Sequence, residues 1–392
     1  MLNRRILRVK VMQSIYAFKQ SKESNYELAV DQIKEEFAEE LSIIGKDHKE
    51  QVAEKERLVL EYLAHNHEDG TSQLTSDKLD EKMIKIGADA VSYYRSLVQN
   101  DKESFRTKML SETEKLYFKY LKFLQYLIDL SDYAQSELEQ KVERGVKNIE
   151  KDTILHNILS GNMLIEKLNR NFKLTEEIEK HKIKRAEDID RVKEWLRILK
   201  KEESFMAFAD QEKSFERDKT VARYLLKDFM FKHDMVEPVF EEEDINWTEN
   251  KTILKSMLVK TIKSIEEGDV DLELLSISKN WDEDKVFFEE LYKHTLQQER
   301  DYVEIIGKNS KKWAKERMAR VDSILLSMAL TEMVNFPNIP VKVTINEFIE
   351  ISKMYSTPKS WQFINGILDA VSDQMMKSGQ IRKSGRGLID NK

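Results

Sequence analysis

PVKVTINEFIEISKMYSTPKSWQFINGILD, residues 340–369, is the most sharply punctuated stretch of this chain, with two prolines, two helix starts and a mid-helix Asn-Gly pair. Thr344 and Glu347 have capping-box spacing: the threonine hydroxyl accepts from the third backbone N–H while the glutamate reaches back. Such a cap contributes about 1 kcal/mol. Ahead of it, Pro337 and Pro340 bias their preceding residues to extended backbone, so 336–343 is not expected to form a normal helix. The helix from Ile345 is expected to bury Ile345, Phe348, Ile349 and Met354. Pro358 suits a first helical position, with Thr357 as the N-cap. In the second helix Ile364, Leu368, Val371 and Met375 share one face. Gly366 inside that helix costs about 1 kcal/mol relative to alanine, which makes sense if another backbone passes close by. Asn365 either bonds that neighbour or is exposed. The hairpin thus fixes a short loop, Ser356 to Ser360, at a helix N-terminus. Free N–H groups and the helix dipole favour a phosphate there, and Lys359 adds a charge.

Upstream, the reading is helical throughout. No proline precedes Pro238, and the whole chain has 11 glycines, far too little turn punctuation for a β-protein. Tyr26, Val30, Ile33, Phe37 and Leu41 step by three and four, as do Met83, Ile86, Ala90, Tyr94 and Leu97, and Leu116, Tyr120, Phe123 or Leu124, and Leu127. These are single-sided stripes of amphipathic helices. The fold class is all-α. HNHEDGTSQLTSD (65–77) reads as a loop, DKES (101–104) and SDYAQ (131–135) as kinks or short turns, and HDMVEPVFEEED (233–244) as a linker. The tail KSGQIRKSGRGLIDNK lacks a core pattern and is expected to be disordered. FERDKTV at 215, WTENKTI at 247 and WDEDKVF at 281 share an aromatic, an Asp or Asn three residues on, and a lysine. Three helix N-termini with acidic first turns explain them, and a helical-hairpin repeat is the alternative.

Charge is unevenly spread. The net charge is −7, yet residues 1–22 hold Arg4, Arg5, Arg8, Lys10, Lys19 and Lys22 with no acid. Residues 377–392 hold five cations against Asp390. Basic ends around an acidic middle suggest polyanion contact. The absence of cysteine removes disulfides, zinc-thiolate sites and thiol nucleophiles. His65 and His67 are too few for a closed zinc site, and His294 falls in a packed stripe, so no metal site is expected. No Walker loop or Gly-rich dinucleotide motif is present, and no cofactor and no catalytic role are expected. Nothing resembles a signal peptide or membrane span, which points to the cytoplasm.

The opening helix, NRRILRVKVMQSIYAFKQS (3–21), places Leu7, Val11, Ile15 and Phe18 on one stripe and leaves Arg4, Arg5, Arg8, Gln13 and Tyr16 off it. Arginine suits phosphate through bidentate bonding and stacks on bases; a solvated basic face is the other reading. RRILRVKVMQSIYAFKQS (4–21) resembles the arginine-rich first helix of the NusB family of bacterial antitermination factors. RVDSILLSMALTEMVNFPNIPVKVTINEFIEISKMYSTPKSWQFINGILDAV (320–371) is similar to that family's last three helices, and DEDKVFFEELYKHTLQQERDYVEII (282–306) to the long helix before them.

The resemblance implies a bundle of two helical subdomains that pairs with the ribosomal protein NusE. It further implies a grip on boxA-type single-stranded RNA and entry into an RNA polymerase complex with other Nus factors, mainly on ribosomal RNA operons. Arg4, Arg5 and Arg8 match basic residues of the family's first helix, and Gln13 and Tyr16 follow in register. Lys359, Ser360, Gln362 and Phe363, at the start of the final helix, form a second expected RNA contact, with Phe363 equally suited to the core. Ile6 stands where relatives continue the arginine run. On this basis 1–22 is the first helix, 23–281 a helical insertion, 282–376 the C-terminal helices and 377–392 a basic tail. The acidic insertion suits protein docking better than RNA. A helical protein-interaction scaffold that has lost RNA binding is the alternative function, and the sequence leaves a homodimer open.

Overall fold

The computed structural model describes residues 2–43, 49–68, 79–183, 189–269, 271–309 and 318–391, and no strand occurs among them. The helices are, in order, α1 (Arg4–Ile43), α2 (Lys49–Asn66), α3 (Glu81–Glu143), α4 (Glu150–Leu159), α5 (Met163–Asn169), α6 (Phe172–Lys180), α7 (Ile189–Leu199), α8 (Glu203–Met206), α9 (Phe215–Tyr224), α10 (Met230–Lys232), α11 (Glu237–Glu243), α12 (Trp247–Ser264), α13 (Trp281–Gln297), α14 (Glu299–Asn309), α15 (Arg320–Asn335), α16 (Val341–Tyr355) and α17 (Ser360–Lys377). A π-helical turn, Leu225–Phe229, joins α9 to α10. The chain forms two compact units. One comprises residues 4–110 and 283–392, the other residues 1–3 and 111–282.

In the unit of 4–110 and 283–392, α1 packs on α2, α15 and α16, and α17 packs on α14, α15 and α16. The stripe Leu7, Val11, Ile15 and Phe18 is buried, as its spacing requires. A second cluster joins Ala29, Ile33 and Phe37 of α1 to Val59 and Leu63 of α2 and Met83, Ala90 and Tyr94 of α3. The central helix is α15, buried at every residue from Ile324 to Met333. That enclosure follows from its run ILLSMALTEM, which is apolar on all sides except Ser327, Thr331 and Glu332.

Several local expectations change. Helix α16 begins at Val341, one turn before the capping box, because Pro340 serves as N-cap and its carbonyl accepts from Thr344 N at 3.1 Å. Thr344 is therefore a fully buried helix-interior residue, not a cap. Met354 is 65% exposed, and Ile351 is buried where Met354 was expected. Helix α17 begins at Ser360, with Pro358 in the turn ahead of it. Its stripe Ile364, Leu368, Val371 and Met375 is buried as expected. A Cβ on Gly366 would meet nothing within 4 Å, so no backbone passes close by. Asn365 bonds Asp369 of its own helix at 3.1 Å.

Residues 101–104 and 131–135 lie inside α3, which runs for 63 residues; neither segment holds a residue that forces a break. Of the loop read at 65–77, residues 69–77 lie outside the described residues. The stretch 233–244 is largely α11, with Val236 and Phe240 buried, and not a free linker. The tail is folded onto 336–338. Gly379, at φ 73°, ends α17, Ile381 is buried, Ser384 N donates to Pro337 O at 3.1 Å, and Gly385–Asn391 forms a 3-10 helix.

The unit containing 111–282 is built on aromatics. Phe123 stacks on Phe231 at 4.8 Å, Phe240 on Trp247 at 5.3 Å, and Tyr126 meets Trp195 edge-on at 4.9 Å. Asp152 of α4 is bound by both Lys141 and Lys200, and Lys141 lies 2.9 Å from it. Phe215, Trp247 and Trp281 are each the first residue of their helix, as three N-termini require.

Candidate functional site

The arginines of α1 do not point at open solvent. Arg8 Nε and Nη2 donate to the two oxygens of Glu332 at 2.6 and 2.7 Å, and the pair is almost wholly enclosed, at 3% and 0% side-chain exposure. The Thr344 hydroxyl donates to the same carboxylate at 2.8 Å. Phe287 and Phe348 rings lie 5.4 and 5.9 Å from the Arg8 guanidinium carbon. One guanidinium thus ties together α1, α13, α15 and α16. The two-bond fork, the Thr344 hydroxyl on the carboxylate and Glu347 3.6 Å from Arg8 Nη1 offset the cost of burying the pair.

Arg5 forks onto Glu347 of α16, at 2.8 and 2.9 Å, and keeps 40% of its side chain exposed. The Glu347 hydrogen bond outweighs burial and raises Arg5 above the ordinary arginine value. Arg4 bonds Glu283 and Asp284 of α13 and lies over the Phe287 ring at 5.0 Å. Glu347, read from sequence as a helix cap, is instead the acceptor for Arg5.

The second group gathers at the other end of α15. Asp322 is buried and accepts from the hydroxyls of Ser360, at 2.7 Å, and Ser356. Thr357 and Ser360 hydroxyls meet at 2.7 Å. A protein carboxylate therefore already sits against the Ser356–Ser360 loop, where the sequence suggested a phosphate. Lys359 and Gln362 are exposed, and Phe363 is half-buried.

Helix α1 runs antiparallel to α15: Arg8 meets Glu332 near one end, and Arg320 bonds Glu23 at 2.6 Å near the other. Asp322 and Glu332, ten residues apart, are separated by about 15 Å of helix. The arginine and Ser360 groups thus belong to one scaffold without touching. Tyr16, 40% exposed, and half-buried Gln13 fall between Arg8 and Glu23 on α1. Positions 5, 13, 16 and 20 lie within about 80° of arc, so Arg5, Gln13, Tyr16 and Gln20 share one side of α1.

Sequence reading found the cations and missed their acids. Glu332 carried a signal, because a charge inside an otherwise apolar run must find a partner on burial. Asp284, Asp322 and Glu347 gave none. A cleft of about 720 Å³ also went unforeseen. It is lined in part by Lys22, Tyr26, His67, Tyr94, Glu299 and Arg320. Inside it His67 lies between Tyr26 and Tyr94, with ring centroids 4.9 and 5.3 Å away, and burial pushes the Tyr94 hydroxyl up to about 12.

The NusB family model matches residues 249–373. The chain is 38% identical over 141 residues to the Transcription antitermination protein NusB of Salinibacter ruber (strain DSM 13855 / M31), a match covering 34% of this chain and 88% of that relative. It is 42% identical over 106 residues to the protein of the same name from Chloroherpeton thalassium (strain ATCC 35110 / GB-78), covering 27% of this chain and 50% of the relative. With that of Natranaerobius thermophilus (strain ATCC BAA-1301 / DSM 18059 / JW/NM-WN-LF) it is 43% identical over 75 residues, 19% of this chain and 54% of the relative. The chain thus spans about half the length of these last two relatives. No solved structure matches it. With nearly the whole of the Salinibacter protein matched, and the family model resting on the helices that enclose Arg8, this chain belongs to the NusB family.

Proposed function

We propose that the chain is an RNA-binding transcription antitermination factor of the cytoplasm. In this reading it grips boxA-type nascent RNA together with the ribosomal protein NusE and joins other Nus factors on RNA polymerase at ribosomal RNA operons. As a member of a non-catalytic family it is not an enzyme. The family unit is residues 4–110 with 283–392, and 111–282 is an insertion into it. The observation that carries this reading is the return of α1 to α15 and α16, locked by Arg8 on Glu332. That lock leaves Arg5, Gln13 and Tyr16 on one side of α1, with Lys359, Gln362 and Phe363 following at the start of α17. Arg8 and Ser360 act by positioning, because Glu332 and Asp322 occupy their donors. Arg4 and Arg5 exchange carboxylates for phosphates when RNA arrives.

A second reading has a specific observation behind it. Because Arg4 and Arg5 already hold carboxylates, a scaffold that binds only protein would look the same on this face. Gel shift on boxA-like and scrambled RNA, with and without the ribosomal protein, separates the two. The RNA reading expects retention of boxA-like RNA and its loss in Arg5→Ala/Tyr16→Ala. Capture of the ribosomal protein with no RNA retained by the wild type would favour the scaffold.

A further inference from the structure

A second concentration of positive charge lies in the unit containing 111–282, on the helices that flank the π turn. Residues 250–265 hold Lys251, Lys255, Lys260 and Lys263 and no acid. Helix α12 packs against both α9 and the π turn. Lys219 Nζ of α9 reaches Lys263 O, near the end of α12, at 3.4 Å, while Lys227 and Lys232 stand near Lys255 in its first half. The two strands of helix are therefore antiparallel, and their cations meet across the seam. Lys227 lies within the π turn and Lys232 in α10 just after it.

Four acids reach this group: Glu216 and Glu266 lie 3.4 and 3.7 Å from Lys219, at the far end of the seam, and two more stand at its other end. Asp228 bonds Lys232 at 2.7 Å, and Glu237 bonds Lys251. Arg223, Lys227 and Lys255 have no carboxylate partner among the described residues, and the buried Nε of Arg223 has no hydrogen-bond acceptor. Burial, and then the charges of Lys232 and Lys227, hold Lys255 below the ordinary lysine value, a sign that the group is crowded. On a protein of net charge −7, Lys227 and Lys255 stand close together with only Asp228, already bonded to Lys232, to offset them, which raises the free energy of the empty state. An anion with several charges relieves it.

Between the lysines of α12 stand the hydroxyls of Thr252 and Ser256, and Met235, in the loop after α10, is an isolated exposed apolar side chain. Protein interfaces are depleted in lysine and are anchored by buried aromatics, of which this patch has none. Lysine and hydroxyl donors in a row are what a phosphate backbone needs.

We propose that this patch binds the sugar-phosphate strand of single-stranded RNA, as a second contact independent of α1. It rests on the reading of the chain as an RNA-binding factor and extends that reading into the insertion, whose acidic average conceals it.

The test is the salt dependence of binding of the full chain to an unstructured oligouridine between about 50 and 200 mM salt. In the combined variant Arg223→Gln, Lys227→Gln and Lys255→Gln, the log–log slope should flatten by about 2, since each single-strand phosphate contributes about 0.7. Lys227→Arg with Lys255→Arg should retain the wild-type slope. A slope unchanged in the triple glutamine variant but flattened in Arg5→Ala/Tyr16→Ala would overturn the patch and leave the proposed function standing. The reverse pattern would keep the patch and remove the α1 face. Polyglutamate bound in place of RNA, and released by the triple variant, would reassign the patch to an acidic protein. Failure of the wild type to bind any RNA would overturn both.

Discussion

Arg8 is the residue on which the unit of 4–110 and 283–392 closes. Its buried guanidinium forks onto Glu332, Thr344 donates to the same carboxylate, and Glu347 lies 3.6 Å from Nη1. Removing one member leaves a buried charge without its counterpart, which costs about 3–5 kcal/mol. Arg8→Ala should lower unfolding stability by that amount in urea titration. Arg8→Met combined with Glu332→Met should be much less damaging than either change alone, because no orphan charge remains. An additive double variant would mean that packing, not charge, dominates the site. The same residues explain what the sequence hid. Thr344 and Glu347 have the spacing of a cap, but spacing is blind to distant partners. A carboxylate twelve residues earlier takes the threonine, and an arginine from the opening helix takes the glutamate.

At the scale of elements, the periodic stripes of α1, α3 and α17 were legible because burial on one face imposes them, whatever the partner. Helix ends were less so. Residues 101–104 and 131–135 look like breaks from their polar composition, yet α3 passes through both. Glycine is the clearest case. Gly366 lies in open space within α17, so nothing in the fold needs it, and Gly366→Ala should stabilise the chain by about 1 kcal/mol. If that variant is also weaker in RNA or ribosomal-protein binding, the bare backbone serves a partner. Gly387 is the opposite: a Cβ there would lie 2.0 Å from Pro337 O. Gly387→Ala should free the tail, visible as faster proteolysis after Arg382, with the rest of the chain intact.

For the whole molecule, the segmentation read from sequence and the two compact units differ. Sequence suggested an insertion from 23 to 281, whereas residues 4–110 associate with 283–392. The cut at 110 falls inside α3, where the apolar period continues without proline or glycine, so no composition shift marks it. The unit containing 111–282 should be acid-sensitive. Burial alone would raise the Asp152 carboxyl, but Lys200 and Lys141 outweigh it and hold it below the usual aspartate range; Glu137 behaves likewise. Groups depressed on folding contribute stability above their unfolded value, about 3.9 for aspartate. That contribution is lost as pH falls through the lower folded value. Thermal midpoints should therefore drop from about pH 5 downward, and Asp152→Asn should make the drop shallower while lowering the midpoint at neutral pH.

The bond between Arg8 and Glu332 spans 324 positions of chain. At about 5–20 residues per second of synthesis, α1 leaves the ribosome on the order of 15–65 seconds before its partner carboxylate exists. Through that interval Ala29, Ile33 and Phe37 of its later turns can lean on α2, while its cationic end has no acid from α13, α15 or α16 to meet. The earliest helix made is thus among the last to be housed. A nascent chain stalled before Glu332 should cling to ribosomal RNA or to chaperones through its opening residues, then let go once translation passes α16.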